Sequence, residues 1–190
     1  MIVVEKDAYR LEVADDGMTA SLEGLTLRPH AAFDTVVGTC VFCSVADPVR
    51  GLAEVRACST VPISTGESEF TRHDFREICE LRAADVLQPD LAIAGGITEG
   101  LRIAALASAF NLRLAPHLWS GAPAFAAGLH LACSQTSGFI LEYSLGHNPM
   151  LHDLVEEDFS VVDGHVEIPD RPGLGITVCQ SFLDEHGVRA

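Results

Sequence analysis

The sequence predicts an α/β fold, with a parallel sheet built from βα units and a short C-terminal β return. Two observations carry this prediction. From about residue 60, short apolar runs alternate three times with longer segments of helical period, which is typical of βα units. From residue 159 the pattern changes to short apolar runs joined by glycine-containing turns, which is typical of antiparallel strands.

Composition limits the classes of function. The chain has 190 residues, 48% of them hydrophobic, and a formal charge of −15 from 27 acidic and 12 basic residues. Such a charge repels phosphate backbones and anionic membranes, so we expect neither nucleic acid nor a membrane as a partner. The first residues, MIVVEKDAYRLEV, contain acids and no cleavable apolar segment, so we expect a cytoplasmic protein without a signal peptide.

Residues 1–40 are an uncertain N-terminal segment. Residues 8–27, AYRLEVADDGMTASLEGLTL, are compatible with a hairpin that has a polar turn, but nothing in the sequence fixes it. Residues 35–48, TVVGTCVFCSVADP, have the apolar character of a buried strand that ends at Asp47 and a proline.

The first βα unit follows this segment. Residues 61–64, VPIS, predict a strand, and residues 71–84, TRHDFREICELRAA, predict a helix. Thr71 is the expected N-cap because its hydroxyl can accept a backbone N–H. The apolar face of the helix is expected to hold Phe75, Ile78, Cys79 and Leu81.

Two further units complete the pattern. Residues 84–90, ADVLQPD, predict a strand, and residues 98–111, TEGLRIAALASAFN, predict a helix capped by Thr98. Residues 112–117, LRLAPH, predict the third strand, and residues 123–134, PAFAAGLHLACS, a helix apolar enough to be buried. The later extended pieces are 139–143 (FILEY), 159–169 (FSVVDGHVEIP, two strands with an Asp-Gly turn) and 170–178 (DRPGLGITV, a glycine-rich return with a last strand).

Titratable side chains recur where these strands end. Asp47, Glu67, Asp90, His117 and Glu142 follow successive apolar runs. A single acid in a surface loop is more often just solvated, but recurrence at equivalent positions favours a shared site. In a barrel of βα units the carboxyl ends of the strands converge on one mouth, which is where such folds keep their active sites.

Five motifs occur in one order along residues 61 to 178: VPISTGES, ADVLQPDLAIAGGITEGLRIAALA, LRLAPHLWSG, FILEY and IPDRPGLGI. Together they resemble the C-terminal half of the enolase superfamily, in particular its mandelate racemase subgroup, which includes acid-sugar dehydratases and cycloisomerases. The resemblance implies a partial TIM-type (β/α) barrel with about the last four strands. On this basis residues 41–150 are the partial barrel and residues 151–190 the C-terminal β return to the capping region.

The resemblance also implies roles. Asp90 and His117 match an Asp–His dyad in which the imidazole moves a proton and the carboxylate orients it. Glu142 matches a carboxyl group that hydrogen-bonds the substrate near the reacting centre. Glu67 matches a ligand of Mg²⁺, and Asp47 is the second candidate ligand. The implied reaction is abstraction of the proton α to the carboxylate of an acid sugar, followed by dehydration or isomerisation.

The chain departs from the family in two places. Where the family has two glutamates before a proline, this chain has Ala46 and Asp47 before Pro48, so the usual ligand position carries no charge. Lys6, the only lysine, lies in no matching motif, whereas the family has a lysine pair. A non-catalytic remnant or interaction subunit with a half-barrel fold is therefore an alternative. Unpaired strand edges in a half barrel predict self-association or a complementing half-barrel.

Other residues have competing interpretations. Asp90, with two glycines after it, also suits a simple helix-entry turn. Trp119 either lines the mouth or packs against the core. His130 and His152 are expected to be ordinary surface or core histidines.

Overall fold

The computed structural model describes residues 11–13, 20–22, 25–26 and 47–187. By its internal contacts the chain divides into two compact units. The first comprises Met1–Thr65 and Arg76–Val86, and the second comprises Gly66–Phe75 and Leu87–Ala190. The predictions for Lys6, for Ala46 and for residues 35–46 lie outside the described residues.

Between residues 64 and 134, short strands alternate with helical segments, as predicted. The strands are β1 (Leu11–Val13), β2 (Ala20–Leu22), β3 (Leu25–Thr26), β4 (Ser64–Thr65), β5 (Val86–Leu87) and β6 (Arg113–Leu114). The helices are α1 (Pro48–Cys58), α2 (Thr71–Glu80), α3 (Leu91–Ala94), α4 (Gly96–Ala109), α5 (Ala122–Ser134), α6 (Pro149–His152) and α7 (Gln180–His186).

The strands β4, β5 and β6 form a three-stranded parallel sheet in that order. Because helices link consecutive strands, this is the βα repeat expected from the sequence. The α/β fold and the partial (β/α) barrel are confirmed. The predicted fourth strand at 139–143 is reduced to one parallel bridge, between Leu114 and Gly138, with Phe139 N donating to the Leu114 carbonyl over 2.9 Å.

In the first unit, β1, β2 and β3 form an antiparallel sheet in which Leu11 pairs with Leu22. This agrees with the hairpin considered for residues 8–27. The helix α1, which the sequence analysis did not anticipate, begins after Asp47, whose Oδ1 accepts from Arg50 N at 3.1 Å. Near its end, Arg56 donates to Asp85 Oδ1 through Nε and Nη2, at 2.9 and 2.7 Å.

The second unit has the larger described core. The helix α5 buries most of its length, as its apolar sequence predicts, and the chain that follows packs against it. Phe125 contacts the rings of Tyr143 and Phe159, with centroids 5.7 and 5.1 Å away. The buried members of this core are Leu118, Ala122, Phe125, Ala126, Leu129, Leu151, Leu154, Val155 and Phe159.

Two details of the predicted helices are wrong. Thr98 does not cap α4, because that helix begins at Gly96 and its N-cap is Gly95, which has φ 111°. The turn at Gly95 ends the short helix α3, so the chain enters α4 before it reaches Thr98. Leu81 is exposed, since α2 ends at Glu80, whereas Phe75, Ile78 and Cys79 are buried as expected.

The C-terminal return has fewer strands than predicted. Asp163 and Gly164 have φ values of 50° and 77°, so the Asp-Gly turn forms, but only Val162 and His165 pair across it. Residues 170–178 contribute one antiparallel bridge, between Val178 and Val155, and then lead into α7. In the part of the chain that is described, no helix is long and apolar enough to cross a membrane.

Candidate active site

The candidate site lies in the second unit, just after the carboxyl ends of β5 and β6, where the chain stays extended beyond the last residue of each strand. The backbone after β6 stays paired with the neighbouring segment, since Ala115 N donates to the Leu87 carbonyl at 2.9 Å and His117 N to the Pro89 carbonyl at 3.2 Å. These bonds carry the extended conformation as far as His117. The imidazole of His117 is thereby held at the end of a strand rather than in a free loop.

Asp90 serves two purposes at once. Its Oδ1 accepts from Ala92 N at 2.7 Å and caps α3, while its Oδ2 lies 2.9 Å from His117 Nδ1. The helix-entry turn and the Asp–His dyad were alternatives in the sequence, and the geometry accommodates both. The side chain of Asp90 is only 3% exposed, so this contact is shielded from water.

The contact fixes the protonation pattern of the ring. A carboxylate can only accept, so it assigns the proton of neutral His117 to Nδ1 and leaves the lone pair on Nε2. The His117 side chain is 17% exposed, so Nε2 can be reached from outside. His117 therefore has the arrangement of a general base that a buried carboxylate orients.

Two more carboxylates surround Nε2. Glu67 Oε2 lies 3.7 Å and Glu142 Oε2 lies 3.8 Å from His117 Nε2. Both distances are too long for a hydrogen bond but short enough for a strong charge interaction. The negative charges of both carboxylates face Nε2. They repel an incoming anion.

Local backbone contacts place these two acids. Glu67 follows Gly66, whose φ of 133° favours glycine and where a Cβ would come within 2.6 Å of the Phe75 ring and 2.9 Å of Gln88 N. Glu142 Oε2 accepts from Leu118 N at 2.9 Å, which fixes it beside His117. Four of the five residues singled out in the sequence, Glu67, Asp90, His117 and Glu142, are thus brought together.

Asp47, the fifth, belongs to the first unit, where it caps α1. Mg²⁺ prefers near-octahedral oxygen coordination and keeps several waters beside one or two carboxylates. Glu67 has the right chemistry for one such ligand. Over residues 47–187 and the short N-terminal strands, however, no three His, Cys, Asp or Glu side chains are grouped to hold a metal ion. These residues do not fit a complete metal centre.

The sequence analysis overlooked Glu99. This buried carboxylate accepts from Arg72 N at 3.1 Å and from the Arg72 guanidinium at 2.6 Å, and it also pairs with Arg102. The backbone N–H of Arg72 and the hydrogen bond from Arg102 lower the pKa of Glu99 from 4.5 to about 2. Glu99 therefore ties the start of α2 to the start of α4. Its place in the first turn of a helix is the one signal that the sequence offers.

The other residues considered in the sequence are structural or exposed. His130 Nε2 lies 3.2 Å from the Leu174 carbonyl oxygen, and the His152 ring lies beside Tyr143. Trp119 is 69% exposed, so it is not a packing residue.

A cavity of about 400 Å³ opens at the opposite, N-terminal end of β6. Arg113 lies at this end with its guanidinium carbon 4.3 Å from the centroid of the Phe139 ring. The lining mixes polar and apolar residues and is uncharged apart from Arg113: Ser108, Asn111, Leu112, Arg113, Thr136, Ser137, Gly138 and Phe139.

Residues 43–182 match a family model described as enolase C-terminal domain-like. A D-galactonate dehydratase from Ralstonia pickettii (strain 12J) is 36% identical over 152 residues, which are 77% of this chain and 40% of that protein. The chain thus spans about 40% of the length of the curated relatives it matches.

Solved structures show the same relationship. A mandelate racemase/muconate lactonizing enzyme from Jannaschia sp. CCS1 is 39% identical with a TM-score of 0.68, covering 75% of this chain and 36% of that one. The 3,6-anhydro-D-galactonate cycloisomerase from Zobellia galactanivorans is 32% identical with a TM-score of 0.68, covering 73% of this chain and 39% of that one.

Proposed function

The chain belongs to the enolase C-terminal domain-like family, and on that premise we propose that its site abstracts the proton α to the carboxylate of an acid sugar. The outcome is dehydration or isomerisation. The observation that carries the proposal is His117, with Asp90 2.9 Å from Nδ1 and an accessible Nε2.

In the proposed step, the Nε2 lone pair takes the α proton. The C–H bond breaks, and its electron pair moves into the carboxylate to give an enediolate. Asp90 stabilises the imidazolium that forms. When Nε2 returns the proton to a departing β-hydroxyl group, water leaves and the enol product becomes a keto acid. When an acid other than His117 gives a proton to the α carbon from the opposite face, the result is isomerisation.

The substrate class rests on the relatives. The dehydratase from Ralstonia pickettii and the cycloisomerase from Zobellia galactanivorans are both named for galactonate or an anhydro form of it. A polyhydroxy acid also suits the site, because Glu67 and Glu142 can accept hydrogen bonds from hydroxyl groups.

The negative charges around His117 favour a bound cation at this site. Three carboxylates lie around His117, and an acid sugar brings a fourth, so a cation is needed to offset the repulsion. We propose that Mg²⁺ is this cation and that Glu67 supplies one ligand. Further oxygen ligands must come from outside the described residues, since those residues hold no complete set.

A thermal melt with and without millimolar Mg²⁺ tests the metal proposal, because a ligand that binds only the folded state raises the melting temperature. We expect a clear upward shift that disappears in Glu67→Gln. No shift in a folded chain would contradict the metal proposal, and a shift that persists in Glu67→Gln would contradict the role of Glu67 as a ligand.

The experiment for the activity is exchange of the α hydrogen of D-galactonate in D₂O, followed by NMR. Exchange reports the first step even where product does not form. We expect exchange with the natural chain and none above background with His117→Asn. Arg113→Gln, at the other end of β6, is the matched control and should exchange normally. Equal exchange by natural and His117→Asn chains would overturn the proposal.

A second candidate is a non-catalytic remnant or interaction subunit. It is favoured by one observation, the lack of a complete metal site in the described residues. Binding of D-galactonate without α exchange, at every Mg²⁺ concentration, would support it over catalysis.

The associated proposal on partners is self-association or pairing with a complementing half-barrel. It is supported by the sheet of β4, β5 and β6, in which β4 and β6 are the outer strands among the described residues. Sedimentation velocity over a range of concentrations tests self-association, and a single monomeric species throughout would contradict it.

We retain residues 41–150 as the proposed partial barrel and 151–190 as the proposed β return; the family match beginning at residue 43 supports the first boundary.

A further inference from the structure

We infer that Trp119 is a substrate-contacting specificity residue, an aromatic wall against which the carbon chain of the acid sugar packs while His117 meets its α carbon. This inference rests on the proposed function and adds the part of the site that selects a long polyhydroxy acid. It draws on the direction of the backbone at 117–119, the rigidity of that segment and the exposure of the indole.

The backbone places Trp119 on the same side as His117. The N–H groups of Ala115 and His117 both donate to the neighbouring segment, as alternate residues of an extended strand do. Side chains on such a strand alternate between faces, so residues 117 and 119 share one face and residue 118 has the other. Burial agrees with this, because Leu118 is 1% exposed and Trp119 is 69% exposed.

The segment that carries the indole is held on both sides. Leu118 N donates to Glu142 Oε2 at 2.9 Å, and the Leu118 side chain fills the space where a Cβ at Gly128 would collide with it. After Trp119, the Ser120 carbonyl accepts from Asn148 Nδ2 at 3.3 Å. Trp119 therefore stands on a pinned backbone, which reduces the entropy that a ligand must overcome to use it.

The chain that follows is also close-packed. The Gly121 carbonyl accepts from Ala124 N and Phe125 N at 3.1 Å, which starts α5. A Cβ at Gly121 would lie 3.0 Å from the Met150 carbonyl oxygen. The backbone two residues after Trp119 is therefore held closely against the segment at Met150.

The indole of Trp119 makes no stacking contact within the described part of the chain. No aromatic ring or cation stacks on it there, whereas Phe125, Phe139 and Phe182 each have a ring or cation neighbour. A tryptophan buries a large area at low cost in conformational entropy, which makes it an effective anchor for a ligand.

The chemistry of an acid sugar matches a site that has an indole face on one side and carboxylates on the other. A polyol chain presents C–H groups on one side and hydroxyl groups on another. The indole face suits the C–H side, and the carboxylates of Glu67 and Glu142 suit the hydroxyl side. A short acid without the polyol chain would reach His117 but would gain nothing from Trp119.

The experiment uses the fact that Trp119 is the only tryptophan of the chain, so tryptophan emission reports this position alone. The full chain is titrated with D-galactonate and, separately, with lactate, both with Mg²⁺ present. We expect a saturable change of emission with D-galactonate and none with lactate. A matched control carries Trp119→Phe together with Phe139→Trp, which moves the sole tryptophan to the other end of β6 and should give no change.

Kinetics of α exchange provide the second readout. Trp119→Ala should raise KM for D-galactonate about tenfold with kcat changed less than about threefold, and Trp119→Phe should restore most of the loss. Circular dichroism confirms that each variant is folded. Unchanged emission at saturating D-galactonate, or equal KM for the natural chain and Trp119→Ala, would overturn the role of Trp119. Exchange that still depends on His117 would then leave the proposed function standing.

Discussion

The two ends of β6 differ sharply although only three residues separate Arg113 from His117. Beyond the C-terminal end, His117 is surrounded by Glu67, Asp90 and Glu142. At the N-terminal end, Arg113 stacks on Phe139 beside a cavity without a single carboxylate in its lining. Parallel strands bring all their carboxyl ends to one edge, so chemistry collects there while the other edge serves stability.

The largest effect that separates the two ends is expected from His117→Asn. It removes the lone pair on Nε2 that the proposed step requires, so α exchange should fall by about a thousandfold. Stability should fall by no more than about 1 kcal/mol, because the asparagine amide keeps a donor for Asp90 near the position of Nδ1. Arg113→Gln should leave exchange intact, and an equal loss in both variants would erase the functional distinction.

The second largest effect is expected at Asp90, where two substitutions separate the capping of α3 from the contact with His117. Asparagine caps helices as well as aspartate does but cannot stabilise an imidazolium, so Asp90→Asn should lower exchange about a hundredfold at nearly unchanged stability. Asp90→Ala should in addition lose about 1 kcal/mol of unfolding free energy, measured by urea denaturation. Full exchange in Asp90→Asn would show that residue 90 needs only to orient the His117 ring and that its charge is not required for the exchange.

The pH dependence of stability tests the contacts of Glu99 with Arg72 and Arg102. The contact with Arg72 holds the start of α2, which follows Glu67 along the chain. The pKa of Glu99 is lowered by the Arg72 N–H and by Arg102 to about 2, from 4.5. A lowered folded-state pKa stabilises the protein above pH 4.5, and this contribution is lost as pH falls from 4.5 towards 2. The melting temperature should fall through that window, and Glu99→Gln should flatten part of the slope. An unaltered slope would mean that other acids account for it.

The smallest effect belongs to the N-terminal end of β6. Phe139→Leu removes the ring under Arg113 and should cost about 0.5 to 1 kcal/mol of unfolding free energy. The α exchange should be unchanged at temperatures where the variant is folded. A loss of exchange much larger than the loss of stability would show that this end also reaches the reacting centre.

Much of the fold could be predicted from the sequence, and the errors have physical causes. Helical period and apolar runs located α2, α4, α5 and the strands between them. The N-cap of α4 was missed because Gly95 and Gly96 both have positive φ, and a break of this kind outweighs the weak preference of Thr98 for a cap. The β return was overpredicted because pairing depends on a partner strand that local pattern does not specify.

The sequence by itself determined the parallel arrangement and the acids and histidine at its strand ends, because period and residue type are local properties. Only the tertiary structure decided that Asp90 both caps α3 and contacts His117, that Glu99 joins α2 to α4 through Arg72, and that Trp119 is left exposed. Each of these depends on a contact or a lack of contact between distant residues. A single sequence does not contain such distances, since the packing of whole helices sets them.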